Sequence, residues 1–339
     1  MRSKALVPAA LILGLAALPG ALPAEEATAE MKPVAIEEWP VPWEDTRPRD
    51  PYVGPDGSVW FVGQRGDYLA RLDPKSGEIS KHDLEAGAGP HNLIVGSGGQ
   101  VWYAGNRAAH IGRLDPDSGE ITKIAMPEPE SAGRDPHTLI FDGRGHIWFT
   151  VQGGNSVGRL AIESGEVRLI PVPTERARPY GIVVTPAGRP WFTEFGADKL
   201  ATVDPESLEL REVELPRDDA RPRRLALTSD GAVWYVDYAQ GYLGRLDPGT
   251  GAIEERPVPG GREARPYAMA SDDQDRLWFV ESGPEPNRLV GFDPETETFF
   301  AAGEVPSGGG TVRHMVFHEP TDALWFGTDT NTIGRAKVP

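Results

Sequence analysis

The sequence predicts an all-β, seven-bladed β-propeller with four-stranded blades, the last blade completed by the N-terminal strand. Three observations carry this expectation. A Trp-(Phe/Tyr) pair recurs at Trp60, Trp102, Trp148, Trp191, Trp234, Trp278 and Trp325, spaced by 42, 46, 43, 43, 44 and 47 residues. Each interval repeats the same order of short apolar runs and turns. The chain is also turn-rich, with Gly 40 and Pro 33 among 339 residues, as many short strands require. A repeat of this length holding four strands is the signature of a propeller blade.

The N-terminus reads as an address. Arg2 and Lys4 form a charged start, and Ala5 to Leu18 is an apolar run too short to span about 30 Å of hydrocarbon. Small residues follow, with cleavage expected after Ala24 or Ala29. Residues 1–24 are therefore read as a signal peptide, 25–33 as a short linker and 34–339 as a single propeller domain. The expected location is periplasmic or secreted, with no membrane insertion after cleavage. Cys is 0, which excludes disulfides, thiolate metal sites, a cysteine nucleophile and a lipoprotein anchor.

Within each repeat the order is regular. An apolar run such as Gly181 to Thr185 leads to a tight turn, as at Pro55-Asp-Gly57, Ser97-Gly-Gly99 or Ser229-Asp-Gly231. The Trp strand follows, then a third strand such as Ile111 to Leu114 or Leu243 to Leu246. Turns opened by Asp73, Asp115 and Asp247 lead to a fourth, alternating strand such as Leu208 to Leu215. The Asp115 turn begins like a calcium loop, but it contains Pro and lacks the later bidentate Glu, so it is read as a turn. The seventh repeat stops after Thr332 to Lys337, while Val34 to Pro42 looks like a stray fourth strand. Pairing the two would close the ring and remove an open sheet edge. The seven tryptophans are read as packing between blades.

Eleven residues before each motif Trp stand Arg49, His91, His137, Tyr180, Arg223, Tyr267 and His314. This position starts the innermost strand, so seven large polar side chains should ring one mouth of the central channel. They could bind a ligand or simply plug the channel. Glu194, Asp237 and Glu281 follow their tryptophans by three residues, and Asp329 follows the last by four. Carboxylates facing imidazoles could hold a divalent cation or orient a general base; they could equally form an ion-pair collar with Arg49, Arg223 and Arg313. His82, His110, His146 and His318 are read as surface residues.

The phrases Pro136-His-Thr-Leu-Ile, Ile147-Trp-Phe-Thr, Asn155-Ser-Val-Gly-Arg-Leu and Pro179-Tyr-Gly-Ile with Trp191-Phe-Thr-Glu194 resemble the virginiamycin B lyase (streptogramin B lyase) family across residues 34–339. The resemblance implies a seven-bladed propeller that opens a cyclic depsipeptide by elimination. In that family a histidine removes the proton α to the ester-linked residue, and Mg2+ held by two glutamates stabilises the developing charge. Residue by residue, the resemblance implies His314 as the base. The metal glutamates correspond to Val312 and Asp329, with Glu281 a neighbouring acid. The substrate-contacting positions fall on Tyr267 and Arg49. Arg49, His91, His137, Tyr180, Arg223 and Tyr267 are the expected substrate-binding set, and Asp329 with Glu281 the expected metal set.

Lys+Arg 34 against Asp+Glu 51 gives a net charge of −17, which repels phosphate backbones and anionic lipid and argues against nucleic acid as partner. The expected partner is a small-molecule substrate or ligand at the channel, and the expected state a monomer. Two functions remain open: a metal-assisted eliminase acting on an ester or related linkage, and a non-catalytic ligand- or protein-binding propeller.

Overall fold

The computed structural model describes residues 31–128 and 133–339; the signal segment and most of the expected linker lie outside them. Seven sheets follow one another around the ring, each a blade of four antiparallel strands, with a fifth, parallel strand added to one of them. Blade 1 is typical, with strands Pro48–Val53, Val59–Gly63, Tyr68–Leu72 and Ile79–Asp83. The first strand lies innermost in each blade. Burial falls outward, from wholly buried second strands to alternating fourth strands such as Leu210–Glu214. Among the described residues helix is confined to two 3-10 turns, Gly261–Ala264 and Glu319–Thr321.

The repeated motif has a packing explanation. In five blades the motif Trp faces an Arg of the third strand across the sheet, as in Trp102↔Arg113 and Trp234↔Arg245, whereas Trp191 faces Thr202 and Trp278 faces Gly291. The Arg stem covers the indole, with the guanidinium carbon 5.6 Å and 5.9 Å from the ring centroid. In blades 2, 3, 5 and 7 the aromatic residue after the Trp lies over the Gly that precedes this Arg. A Cβ on Gly244 would come within 2.1 Å of the Tyr235 ring, so the Gly-Arg-Leu phrase is a cross-strand cradle for the Trp-aromatic pair. The indoles are buried between blades: Trp234 of blade 5 packs with Met269, Leu277 and Phe279 of blade 6. The Asp115 carboxylate accepts the backbone N–H groups of Asp117 and Ser118, which confirms the turn reading there.

The ring closes as expected. Ile36–Pro40 pairs antiparallel with Thr332–Lys337, and Trp39 stacks on Trp325 with centroids 5.4 Å apart. The closing segment is tied down further by Asn331, whose amide Nδ2 donates to the carbonyls of Val41 and Trp43. One contact was not expected. Lys32–Pro33, within the stretch read as linker, adds a short parallel strand to blade 6 at Ala301 and Ala302.

A protein chain beginning at Trp43 lacks the closing strand and exposes the edge of Thr332–Lys337. Its melting temperature should fall by about 10 °C or more, because the lost strand carries an indole stack and a full ladder. A thermal melt within a few degrees of the intact protein would remove the closure argument.

Candidate functional site

Inner strands converge on the axis, and a repeated irregularity decides which side chains meet there. In blades 2 to 6 the pairing slips between the starting proline and the residue three places on, as between Pro136 and Leu139. Two residues then oppose one on the second strand, a β-bulge. The bulge brings both the ring residue and its successor to the axis, giving two polar layers where simple alternation gives one.

The outer layer is the expected ring. His91 and His137 pack as tilted rings with centroids 3.6 Å apart, and His137 lies 4.3 Å from Tyr180. The hydroxyls of Tyr180 and Tyr267 share a hydrogen bond of 2.5 Å. Arg49, His91, His137, Tyr180 and Tyr267 are all buried, so these residues plug the mouth. Burial first, then Arg49 and His137, hold the His91 imidazole well below its ordinary pKa; for His137 the causes are burial, then Arg224 and Arg49.

The inner layer consists of residues next in the chain. The Asp50 carboxylate accepts from Arg49 Nε at 2.9 Å and from Asn92 Nδ2 at 3.1 Å, and pairs with Arg224 across the channel at 3.5 Å. Arg224 also donates to Thr138 Oγ1 at 3.0 Å and to the Arg313 carbonyl at 3.0 Å. Burial alone would raise the Asp50 pKa, but Arg49 and Arg224 outweigh it and hold the group well below the carboxylate range.

Beyond this layer lies an axial cavity of about 350 Å³, bounded at the plug end by Asn92, Thr138, Arg224 and His314 and walled by Val184, Leu227 and Phe317. Of the seven ring residues only His314 lines it. Burial pushes its imidazole down to about 4, with Asp50 opposing and Arg224 and Arg49 reinforcing. Its buried Nδ1 has no hydrogen-bond partner. His314 is thus neutral and faces the channel interior, where Asp50 is the carboxylate acting on it.

The expected metal carboxylates do not converge. Glu281 is wholly buried; its Oε1 accepts from the Gly260 N–H, and its Oε2 takes Arg288 at 2.8 Å and 2.5 Å. Asp329 is held by Arg313 and, at 3.3 Å, by Arg47. The two acids share no partner, and Val312 is buried in the core between blades 6 and 7. Among the described residues no three His, Cys, Asp or Glu side chains gather as metal ligands. These donors do not fit a divalent cation: arginines already supply their counter-charge. The ion-pair collar is real for Arg313, while Arg49 pairs with Asp50 and Arg223 pairs with no carboxylate. Asp237 instead accepts backbone N–H groups of Arg221, Ala239 and Gln240. Glu194 is buried without a hydrogen-bond partner and raised to about 8, by burial and then by Glu212.

The geometry of a seven-bladed channel with a histidine at the start of the last inner strand can be set beside known proteins. Residues 34–336 match the Virginiamycin B lyase family. The chain belongs to that family. A streptogramin B lyase structure superposes with a TM-score of 0.80 at 26% identity, covering 90% of this chain and 98% of that one. Virginiamycin B lyase from Staphylococcus aureus gives 0.80 at 25% identity, covering 90% and 100%. Its catalytically inactive histidine-to-alanine variant, solved with quinupristin, gives 0.79 at 25% identity, again covering 90% and 100%. The extracellular domain of a hybrid two-component system from B. thetaiotaomicron is similar in fold alone, with a TM-score of 0.67 at 14% identity over 42% of its chain. No curated protein matches the chain.

Against that family frame, sequence reasoning missed Asp50 and Arg224, whose signal was only their place after ring residues. It also misplaced His110, which is buried, with Nε2 3.2 Å from the Tyr103 hydroxyl. A concavity of about 960 Å³ lies at the opposite ends of the inner strands and is lined by none of the expected site residues. Among the described residues no helix is long and apolar enough to cross a membrane.

Replacing Asp50 by Asn should destabilise the fold by roughly 3–5 kcal/mol, because Arg49 and Arg224 are then buried without their counter-charge. Chemical denaturation checks this, and a loss under about 1 kcal/mol would show that the arginines find other partners.

The histidine has a signed pH signature. Its folded pKa lies below the unfolded value of about 6.5, so only the unfolded chain takes the proton between about pH 6.5 and about 4. The folded state therefore loses stability as pH falls through that window. Glu194 acts oppositely: raised to about 8, its contribution is lost as pH rises from the ordinary carboxylate range toward 8. Comparing the protein with His314→Gln isolates the imidazole. The wild-type stability relative to the variant should fall by roughly 1–3 kcal/mol from pH 7 to pH 4. A difference that stays flat would mean an unperturbed histidine.

Proposed function

We propose that the protein binds a small molecule at the ringed mouth of its channel and does not carry out metal-assisted elimination. In this reading it is an exported, monomeric propeller of the virginiamycin B lyase family whose site serves recognition. The observation that carries it is the pairing of Asp329 with Arg313 and Arg47 and of Glu281 with Arg288. Bound Mg2+ would supply charge stabilisation to an elimination, but no carboxylate pair here is free to hold it. The buried imidazoles and phenols instead hold the mouth rigid, and Arg223 and Tyr238, half-buried beside them, are open to a ligand without reorganisation.

A second reading rests on His314. A neutral imidazole with an unpartnered Nδ1 at the end of the axial cavity has the form of a general base, which needs no metal to accept a proton. The low pKa reduces its driving force but keeps it deprotonated at neutral pH.

One assay separates the readings. Quinupristin, the compound solved with the Staphylococcus aureus relative, is incubated with the protein with and without Mg2+ and chelator. Elimination creates an unsaturated bond that absorbs in the ultraviolet; binding alone does not. The expected outcome is no new absorbance and a melting temperature insensitive to Mg2+ or chelator. Absorbance that grows with Mg2+ would overturn the proposal. Absorbance indifferent to chelator and lost by roughly 10²–10⁴-fold in His314→Ala would establish the second reading.

A further inference from the structure

The channel arginines differ in one respect. Arg49 and Arg224 have Asp50, and Arg47 and Arg313 have Asp329. Arg223, at the same mouth, has no ion pair and no side-chain hydrogen bond among the described residues. Its Nε is buried and unpartnered. Four aromatic rings surround it: the guanidinium carbon lies 4.3 Å from the Phe195 centroid, 4.7 Å from Tyr238, 4.9 Å from Tyr267 and 5.2 Å from Tyr180. Aromatic faces stabilise the cation and remove it partly from water, yet they accept no N–H bond along its edge. The terminal nitrogens are not among the atoms sealed from solvent. A desolvated guanidinium with an open edge is a strong site for a planar, bidentate acceptor.

The surroundings add to this. Arg178 packs on the same Phe195 ring at 5.9 Å, is exposed, and has no ion pair among the described residues. The acids on the second strands nearby do not pair with Arg223. Glu194 has burial and Glu212 keeping its proton, and Asp237 Oδ1 is taken by backbone N–H groups. Tyr238 is half-buried at the rim, so a ligand's ring or alkyl body can lie on it while its charge meets Arg223.

From this arrangement we infer that the mouth over blades 4 to 6 recognises the carboxylate of an acidic small molecule carrying an apolar or aromatic body, with Arg223 as the anchoring cation. This inference rests on the binding function proposed above and names its ligand class. Arg223 supplies the two-point contact, Arg178 long-range attraction, and half-buried Tyr238 the apolar contact. The acidic net charge of the protein does not oppose this, because beyond about 8 Å surface charges are largely screened at physiological salt.

Benzoate is the probe and benzamide its neutral counterpart, titrated calorimetrically into the intact protein. Benzoate should bind roughly tenfold or more tightly than benzamide, the scale of a charged hydrogen bond. Arg223→Met keeps volume inside the aromatic cage and should abolish this preference; Arg223→Lys should restore it in part, as a point charge without the two-point edge. Should Arg223→Met fail to fold, Arg178→Ala and a salt series decide. The inference then requires benzoate, but not benzamide, to weaken with salt and with loss of Arg178. Equal binding of the two probes, or undiminished benzoate preference in folded Arg223→Met, overturns it. If benzamide or quinupristin binds while benzoate gains nothing, the binding function stands and only the ligand class falls. If no probe binds, both fall.

Discussion

The carboxylate of Asp50 is the interaction on which the channel depends. It is buried on the axis, bonded to Arg49 and Asn92, and paired with Arg224 from the far side of the ring. Two guanidiniums brought out of water cost several kcal/mol each unless an opposite charge and hydrogen bonds meet them. One carboxylate meets both, and through Arg224 it also ties in Thr138 and the backbone before His314. Burial keeps the three mouth histidines neutral, and the guanidiniums of Arg49 and Arg224 reinforce it.

Closure makes that cluster possible. Arg224 and Asp50 stand 174 residues apart in sequence and meet only because seven wedge-shaped sheets complete a circle. The last join is the pairing of Ile36–Pro40 with Thr332–Lys337, stiffened by Trp39 on Trp325. The channel ion pairs are therefore a tertiary reward for a closing contact made at the outer edge of blade 7. Stability of the strand and occupancy of the channel should change together.

The carboxylates of the second-strand ends show how one position serves different ends on different blades. Glu281 meets Arg288 across the sheet, so its charge is answered within its own blade. At the equivalent place Glu194 faces Lys199, but that ammonium goes to Glu212 and Thr174, and Glu194 keeps its proton instead. Asp237 is shorter and folds back on the backbone of its own loop. A cation bound by several of these groups would have to displace an arginine or deprotonate a buried acid. Both cost more than binding at an open site.

The blades were legible in the chain because their cause is local. A Trp-aromatic pair recurs in every blade, often with an Arg and a small residue opposite, and turns need Asp, Gly and Pro at fixed offsets, so each repeat writes its strands in order. The closing strand was legible for the same reason, as a fourth strand out of place. The ring of seven polar residues followed from counting. What counting could not show was which of them would be satisfied. Period-2 alternation sends Asp50, Thr138 and Arg224 away from the axis, and only the bulge that crowded inner strands adopt turns them inward. The pairing of Arg224 with Asp50 and of Arg47 with Asp329 depends on distances between separate blades. Those pairings are set by closure of the circle, because Coulomb attraction and desolvation act on separation in space, which spacing along the chain does not encode.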